Sequence, residues 1–80
     1  MQKLLINGVN FGRRLKQLRE RRELSQYDIE IKLDLHGRSM SRSQYANIEQ
    51  GKGNIFIKDL ILLKDIFNAE YHEFFEDLVE

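Results

Sequence analysis

The chain has no cysteine among its 80 residues. Disulfides and thiolate metal sites are therefore excluded. Its only histidines, His36 and His72, are far apart, and no ligand spacing such as HExxH is present. No metal and no cofactor is expected. No apolar run approaches the roughly 20 residues of a membrane-spanning helix. The opening MQKLLINGVN has one lysine and a very short apolar patch, which makes a poor signal peptide. The expectation is a soluble, cytoplasmic, reduced protein. Nothing resembles a nucleophile–base constellation. Gly51-Lys52-Gly53 is too short for a phosphate loop and follows a helical pattern, not a strand. The chain is expected to be no enzyme and to take no small-molecule substrate.

Eighty residues allow one domain, 1–80, with a single thin core. The net charge is zero, but it is unevenly placed. Residues 1–52 carry 11 Lys/Arg against 6 Asp/Glu, and residues 53–80 carry 2 against 7. A basic working surface with an acidic remainder fits this asymmetry, and so do two merely solvated faces.

No proline, low-complexity tract or repeat divides the chain. Helix-period segments are separated by short polar breaks. Asn10 can cap a first helix, about Phe11 to Arg22, with Phe11, Leu15 and Leu18 on one stripe. Ser25 and Asp28 form a capping pattern for a second helix. There Ile29 to Leu35 alternates strictly, a strand signal, yet Ile29/Leu33 and Ile31/Leu35 are also i, i+4 pairs. The cap in front, Gly37 behind, and the lack of a second alternating segment favour helix. A fourth helix is expected over about Ile57 to Phe67, with Leu60, Leu63 and Phe67 inward and Asn68 as a left-handed stop. A last one carries Tyr71, Phe74, Phe75 and Leu78 at helical spacing. The result is an all-α, compact five-helix domain.

The third helix is the most informative. Ser41 and Gln44 make a capping box, and Gly51 sits where a left-handed stop belongs. Tyr45 and Ile48 give one narrow inward edge. Arg42, Ser43, Gln44 and Asn47 face outward. Arginine pairs with guanine, and glutamine or asparagine with adenine, in the major groove of duplex DNA.

The order LKQLRERRELSQYDI, SRSQYANIEQG, DLILLKDIFNAEYHEFF resembles the phage-repressor and Cro type helix-turn-helix family, also called the XRE family. The resemblance covers about residues 11–75, with the helix-turn-helix near 25–50. It implies a lambda-repressor-like DNA-binding fold. It makes Arg42, Ser43, Gln44 and Asn47 base readers in the major groove. It makes Gln26, Arg38, Ser39, Ser41 and Lys52 phosphate contacts, which hold register and supply salt-dependent affinity. Arg19 and Glu49 match a structural ion pair between helices one and three.

The chain departs from the family pattern in places. The step from Ile29 to Glu49 is longer than usual, with the extra length near Asp34–Arg38, as in a sub-branch with a lengthened helix-two and turn region. That region could bring His36 and Arg38 to the DNA backbone or could serve packing alone. Glu30 and Lys64 stand where the family has small residues. Tyr71, Phe74, Phe75 and Leu78 exceed what so small a core can hide and could form a dimer interface, a possibility that Leu4, Leu5, Ile6 and Val9 share. The implied function is a sequence-specific, double-stranded DNA-binding transcriptional regulator, a repressor acting as a homodimer on operator half-sites. The alternative on the same fold is a protein-interaction module or antitoxin-like regulatory subunit with weak or no DNA binding.

Overall fold

A computed structural model describes residues 9–76; Leu4, Leu5, Ile6, Leu78 and Val79 lie outside them. Five helices follow one another: α1 (Val9–Arg21), α2 (Gln26–Leu35), α3 (Arg42–Glu49), α4 (Ile57–Phe67) and α5 (Tyr71–Phe75). Among the described residues there is no strand.

The apolar stripes meet in one core. Phe11, Leu15 and Leu18 of α1 pack with Ile29 and Leu33, Tyr45 and Ile48, Leu60, Leu63 and Phe67, and Phe74. Three loop residues that no helical period reveals, Met40, Ile55 and Ala69, are buried with them. Phe75 is half-buried and stacks on Phe11, with ring centroids 6.2 Å apart. Arg21 donates to Glu73 at 2.6 Å and adds a charged tie between α1 and α5.

The α2 pattern is resolved as helix. Ile29 and Leu33 are buried, whereas Ile31 and Leu35 point to solvent together with Tyr27. The alternation is therefore two i, i+4 pairs on opposite sides of one helix, about 200° apart at 3.6 residues per turn. Six residues, 36–41, join α2 to α3, more than the three or four of a standard turn.

Asn10 does not cap α1 as expected. It lies inside the helix and is exposed. An exposed asparagine costs a helix only a few tenths of a kcal/mol, so the helix runs through it. At the other end, Glu23 takes the left-handed conformation at φ 56°, and Leu24 N–H bonds the Arg19 carbonyl at 3.2 Å. A residue with a Cβ pays about 1–2 kcal/mol there. Glu23→Gly is expected to stabilise the fold by ~0.5–1 kcal/mol after the greater entropy of unfolded glycine is subtracted. A raised urea midpoint at unchanged m-value checks it. Asn68 ends α4 in the same conformation, at φ 52°.

Candidate nucleic-acid interface

The α3 helix is short but firmly ended. Ser41 Oγ accepts the Gln44 N–H at 3.1 Å, and Gln44 Oε1 accepts the Ser41 N–H at 2.9 Å. At the far end Gly51 turns left-handed at φ 81°, and Lys52 N–H bonds the Asn47 carbonyl at 2.8 Å. Tyr45 and Ile48 are buried, and Arg42, Ser43, Gln44 and Asn47 are exposed. The four expected readers thus share the solvent side of one helix.

The capping box limits what Gln44 can read. Its amide oxygen is committed to the Ser41 N–H, which leaves the NH₂ as a donor. Pairing with adenine needs both the oxygen and the nitrogen. As placed, Gln44 suits an acceptor: guanine O6 or N7, thymine O4, or a phosphate. Arg42 and Asn47 carry no such restriction, because neither side chain is engaged in the helix caps.

The expected phosphate contacts fall into two groups. Ser39, Ser41 and Lys52 are exposed around α3. Ser41 Oγ accepts a bond in the cap and keeps its proton to donate. Gln26 and Arg38 are held by the protein. Gln26 Nε2 donates to Glu49 Oε1 at 3.1 Å, so what it offers a phosphate is the first turn of α2 rather than its side chain. Arg38 donates from Nε to Asp59 Oδ1 at 2.6 Å and from Nη1 to the Ser39 carbonyl at 2.6 Å.

Arg19 and Glu49 join α1 to the end of α3. Arg19 Nε donates to Glu49 Oε2 at 2.7 Å and Nη2 to Oε1 at 3.1 Å, while Nη1 donates to the Leu24 carbonyl at 2.8 Å. Burial alone would push the Glu49 carboxyl up, but the Arg19 and Gln26 hydrogen bonds outweigh it and hold the group below the usual carboxylate range. The Tyr45 hydroxyl is buried beside this pair without a hydrogen-bond partner of good geometry. Burial pushes its phenol far up, and the adjacent Glu49 charge adds to that.

Two features escaped sequence reasoning. Gly12 lies in α1 directly against the Ile48 and Glu49 carbonyls. Asp59 is a buried carboxylate at the start of α4. A glycine in the middle of a helix, where it lowers helix stability, was the available signal for the first. An aspartate in the first turn of a helix was only a partial signal for the second.

Other expected site residues stand elsewhere. Phe74 is fully buried within the protomer and so offers no surface to a partner. The reason is close packing: its ring lies 6.2 Å from that of Phe67. Tyr71 is exposed, with the Lys64 ammonium 5.4 Å from its ring centroid. Leu78 is outside the described residues. Glu30 is half-buried at the rim of a groove shared with Tyr27, Ile31 and Met40. His36 and His72 are exposed. Among the described residues no group of three His, Cys, Asp or Glu is placed to hold a metal. No described helix is long and apolar enough to cross a membrane.

A capped helix with an anchored back and an exposed polar front, following a capped α2, is the geometry of a helix-turn-helix. The family model for the helix-turn-helix domain matches residues 10–72. The chain belongs to this DNA-binding family. It is similar in structure to the restriction-modification controller protein C.AhdI from Aeromonas hydrophila. The two share 33% sequence identity over 84% of this chain and 94% of that one, with a TM-score of 0.67. No curated protein sequence matches the chain significantly. By their order α2 and α3 correspond to the two helices of the motif, the second of which lies in the major groove in helix-turn-helix proteins generally.

Proposed function

We propose that this DNA-binding regulator is sequence-specific and represses transcription by occupying operator half-sites as a homodimer. The observation that carries this reading is the solvent face of α3: Arg42, Ser43, Gln44 and Asn47 exposed over buried Tyr45 and Ile48. It acts without catalysis, in the cytoplasm, where the duplex is. The similarity to a restriction-modification controller protein supports a regulatory role. One α3 offers too few base contacts for tight specific binding, so two copies about one helical turn apart, ~34 Å, are needed. The six residues between α2 and α3 fit the sub-branch with a lengthened turn region.

The experiment is selection of bound duplexes from a random pool, followed by titration. Arg42→Ala and Asn47→Ala should each relax one position of the selected motif, at ~1–3 kcal/mol. Lys52→Ala should instead weaken all duplexes alike and flatten the salt dependence by about one unit. Readers whose loss leaves the motif unchanged would remove α3 from the recognition surface. A single unpaired half-site in the selected duplexes would remove the dimer.

A protein-interaction role is favoured by one observation. Tyr27, Ile31 and Leu35 form an exposed apolar line on α2, with Leu35 80% exposed. Such a line is compatible with a protein partner in addition to DNA. Absence of any salt-sensitive duplex binding at low salt would leave this as the main function.

A further inference from the structure

Asp59 is 1% exposed, and its two oxygens take three bonds. Oδ1 accepts from Arg38 Nε at 2.6 Å. Oδ2 accepts from Arg38 Nη2 at 3.4 Å and from the Phe56 backbone N–H at 3.2 Å. Arg38 also donates to the Ser39 carbonyl. One carboxylate therefore ties the segment before α3 to the segment after it. Met40 and Ile55, from the same two segments, are buried with it.

The α3 helix needs such a tie. It has eight residues and only two buried side chains, so packing alone holds its rotation weakly. Its C-terminal end is gripped by Arg19 and Gln26 through Glu49. Its N-terminal end is reached by six residues instead of the usual three or four, and a longer approach is looser. Base-reading groups work only when held to within about 0.5 Å of their productive place.

We propose that Arg38 and Asp59 form a clamp that sets the pose of the recognition helix, with both as positioning residues and neither as a DNA contact. Three of the five Arg38 N–H donors are spent within the protein, and its charge is balanced by Asp59. A balanced arginine releases few counterions from DNA, so it adds little to the salt slope. The effect on DNA rests on the DNA-reading function proposed above. The clamp itself is a property of the free protein.

Two measurements test it, on Arg38→Gln, Arg38→Lys and Asp59→Asn. The asparagine keeps an acceptor for the Phe56 N–H, and the arginine variants serve if Asp59→Asn does not fold. In native-state hydrogen exchange of the free protein, α3 amides should lose about tenfold more protection than α1 amides. Equal loss in all helices would overturn the clamp, leaving a mere stabilising contact. In duplex titration, the affinity ratio of the wild-type-selected duplex to random-sequence duplex should fall about tenfold, the worth of roughly one reading contact. In the two Arg38 variants the random-duplex affinity and its salt slope should stay as in wild type. Lysine should not rescue, because it cannot span both oxygens. A salt slope lowered by about one, with all duplexes weakened alike in Arg38→Gln but not in Arg38→Lys, would overturn the proposal and make Arg38 a phosphate contact. If wild type binds no duplex, the DNA-reading function fails, while the exchange measurement still decides the clamp.

Discussion

Gly12→Ala is expected to destabilise the protein by ~2 kcal/mol, although alanine is the better helix former. Helix propensity alone favours alanine by about 1 kcal/mol. The packing decides the other way. A Cβ on Gly12 would sit 2.6 Å from the Glu49 carbonyl carbon and 2.7 Å from the Ile48 carbonyl oxygen, and nearer still to the Glu49 oxygen. These are backbone atoms at the end of α3, with no rotamer to yield. The helices must move apart, and overpacking of this kind costs about 1–3 kcal/mol or more before the propensity gain is counted. In a domain of this size each kcal/mol lowers Tm by roughly 4–8 °C, so thermal melting should show a fall of roughly 8–16 °C. Lys16→Ala, on the exposed side of α1, should stay within about 0.5 kcal/mol. A stabilised Gly12→Ala would mean that α1 and α3 are not in close contact.

Gly12 also shows where sequence reasoning reaches its limit. A helical stripe is a local pattern, and Phe11, Leu15 and Leu18 announce it directly. Close approach between two backbones is a property of the pair, and only one residue of the pair records it. The caps were readable for the same local reason: Ser25 with Asp28 and Ser41 with Gln44 lie three residues apart, and both boxes form. Asn10 misled because a capping residue type is tolerated inside a helix. Alternation across Ile29 to Leu35 was ambiguous because two faces of one helix carried apolar residues, and only the structure shows that Ile31 and Leu35 have no cover.

The candidate site divides along the same line. Outward placement of Arg42, Ser43, Gln44 and Asn47 follows from helical period once Tyr45 and Ile48 are inside. What period does not carry is which polar atoms are already spent. Gln44 gives its oxygen to the cap, Gln26 gives its amide to Glu49, and Arg38 gives two of its five donors to Asp59, 21 residues away. Each was legible as a polar residue on or near α3. Its partner was not, because the partner is brought there by the fold.

Glu49→Ala is the substitution with the largest expected cost, ~3–5 kcal/mol, because it strands a buried cation. Side-chain exposures of 10% for Arg19 and 4% for Glu49 leave little room for water to replace the carboxylate. Gln26 would lose its acceptor as well. In a domain whose total stability is about 5–15 kcal/mol at most, the variant should be largely unfolded at moderate temperature, visible as loss of helical circular dichroism. Glu49→Gln keeps an acceptor and should cost less. The same pair sets a pH dependence. The folded Glu49 carboxyl titrates below its unfolded value of about 4.3, so folding releases protons there. Its contribution is complete above about pH 5 and is lost as pH falls through the folded value. Asp28, bonded to the Ser25 backbone, and Glu73, held at about 2 by Arg21, shift in the same direction. Urea unfolding at pH 7 and pH 3 should therefore show wild type losing more stability than Glu49→Gln, with a smaller loss persisting in the variant from the other two groups. Equal losses in the two proteins would mean that Glu49 is not the acid-sensitive link between α1 and α3. Because Gly12 and Arg19 both pack on the last turn of α3, acid release of Glu49 should loosen α3 before it unfolds the core. Specific duplex binding should then fail at a higher pH than helical content does.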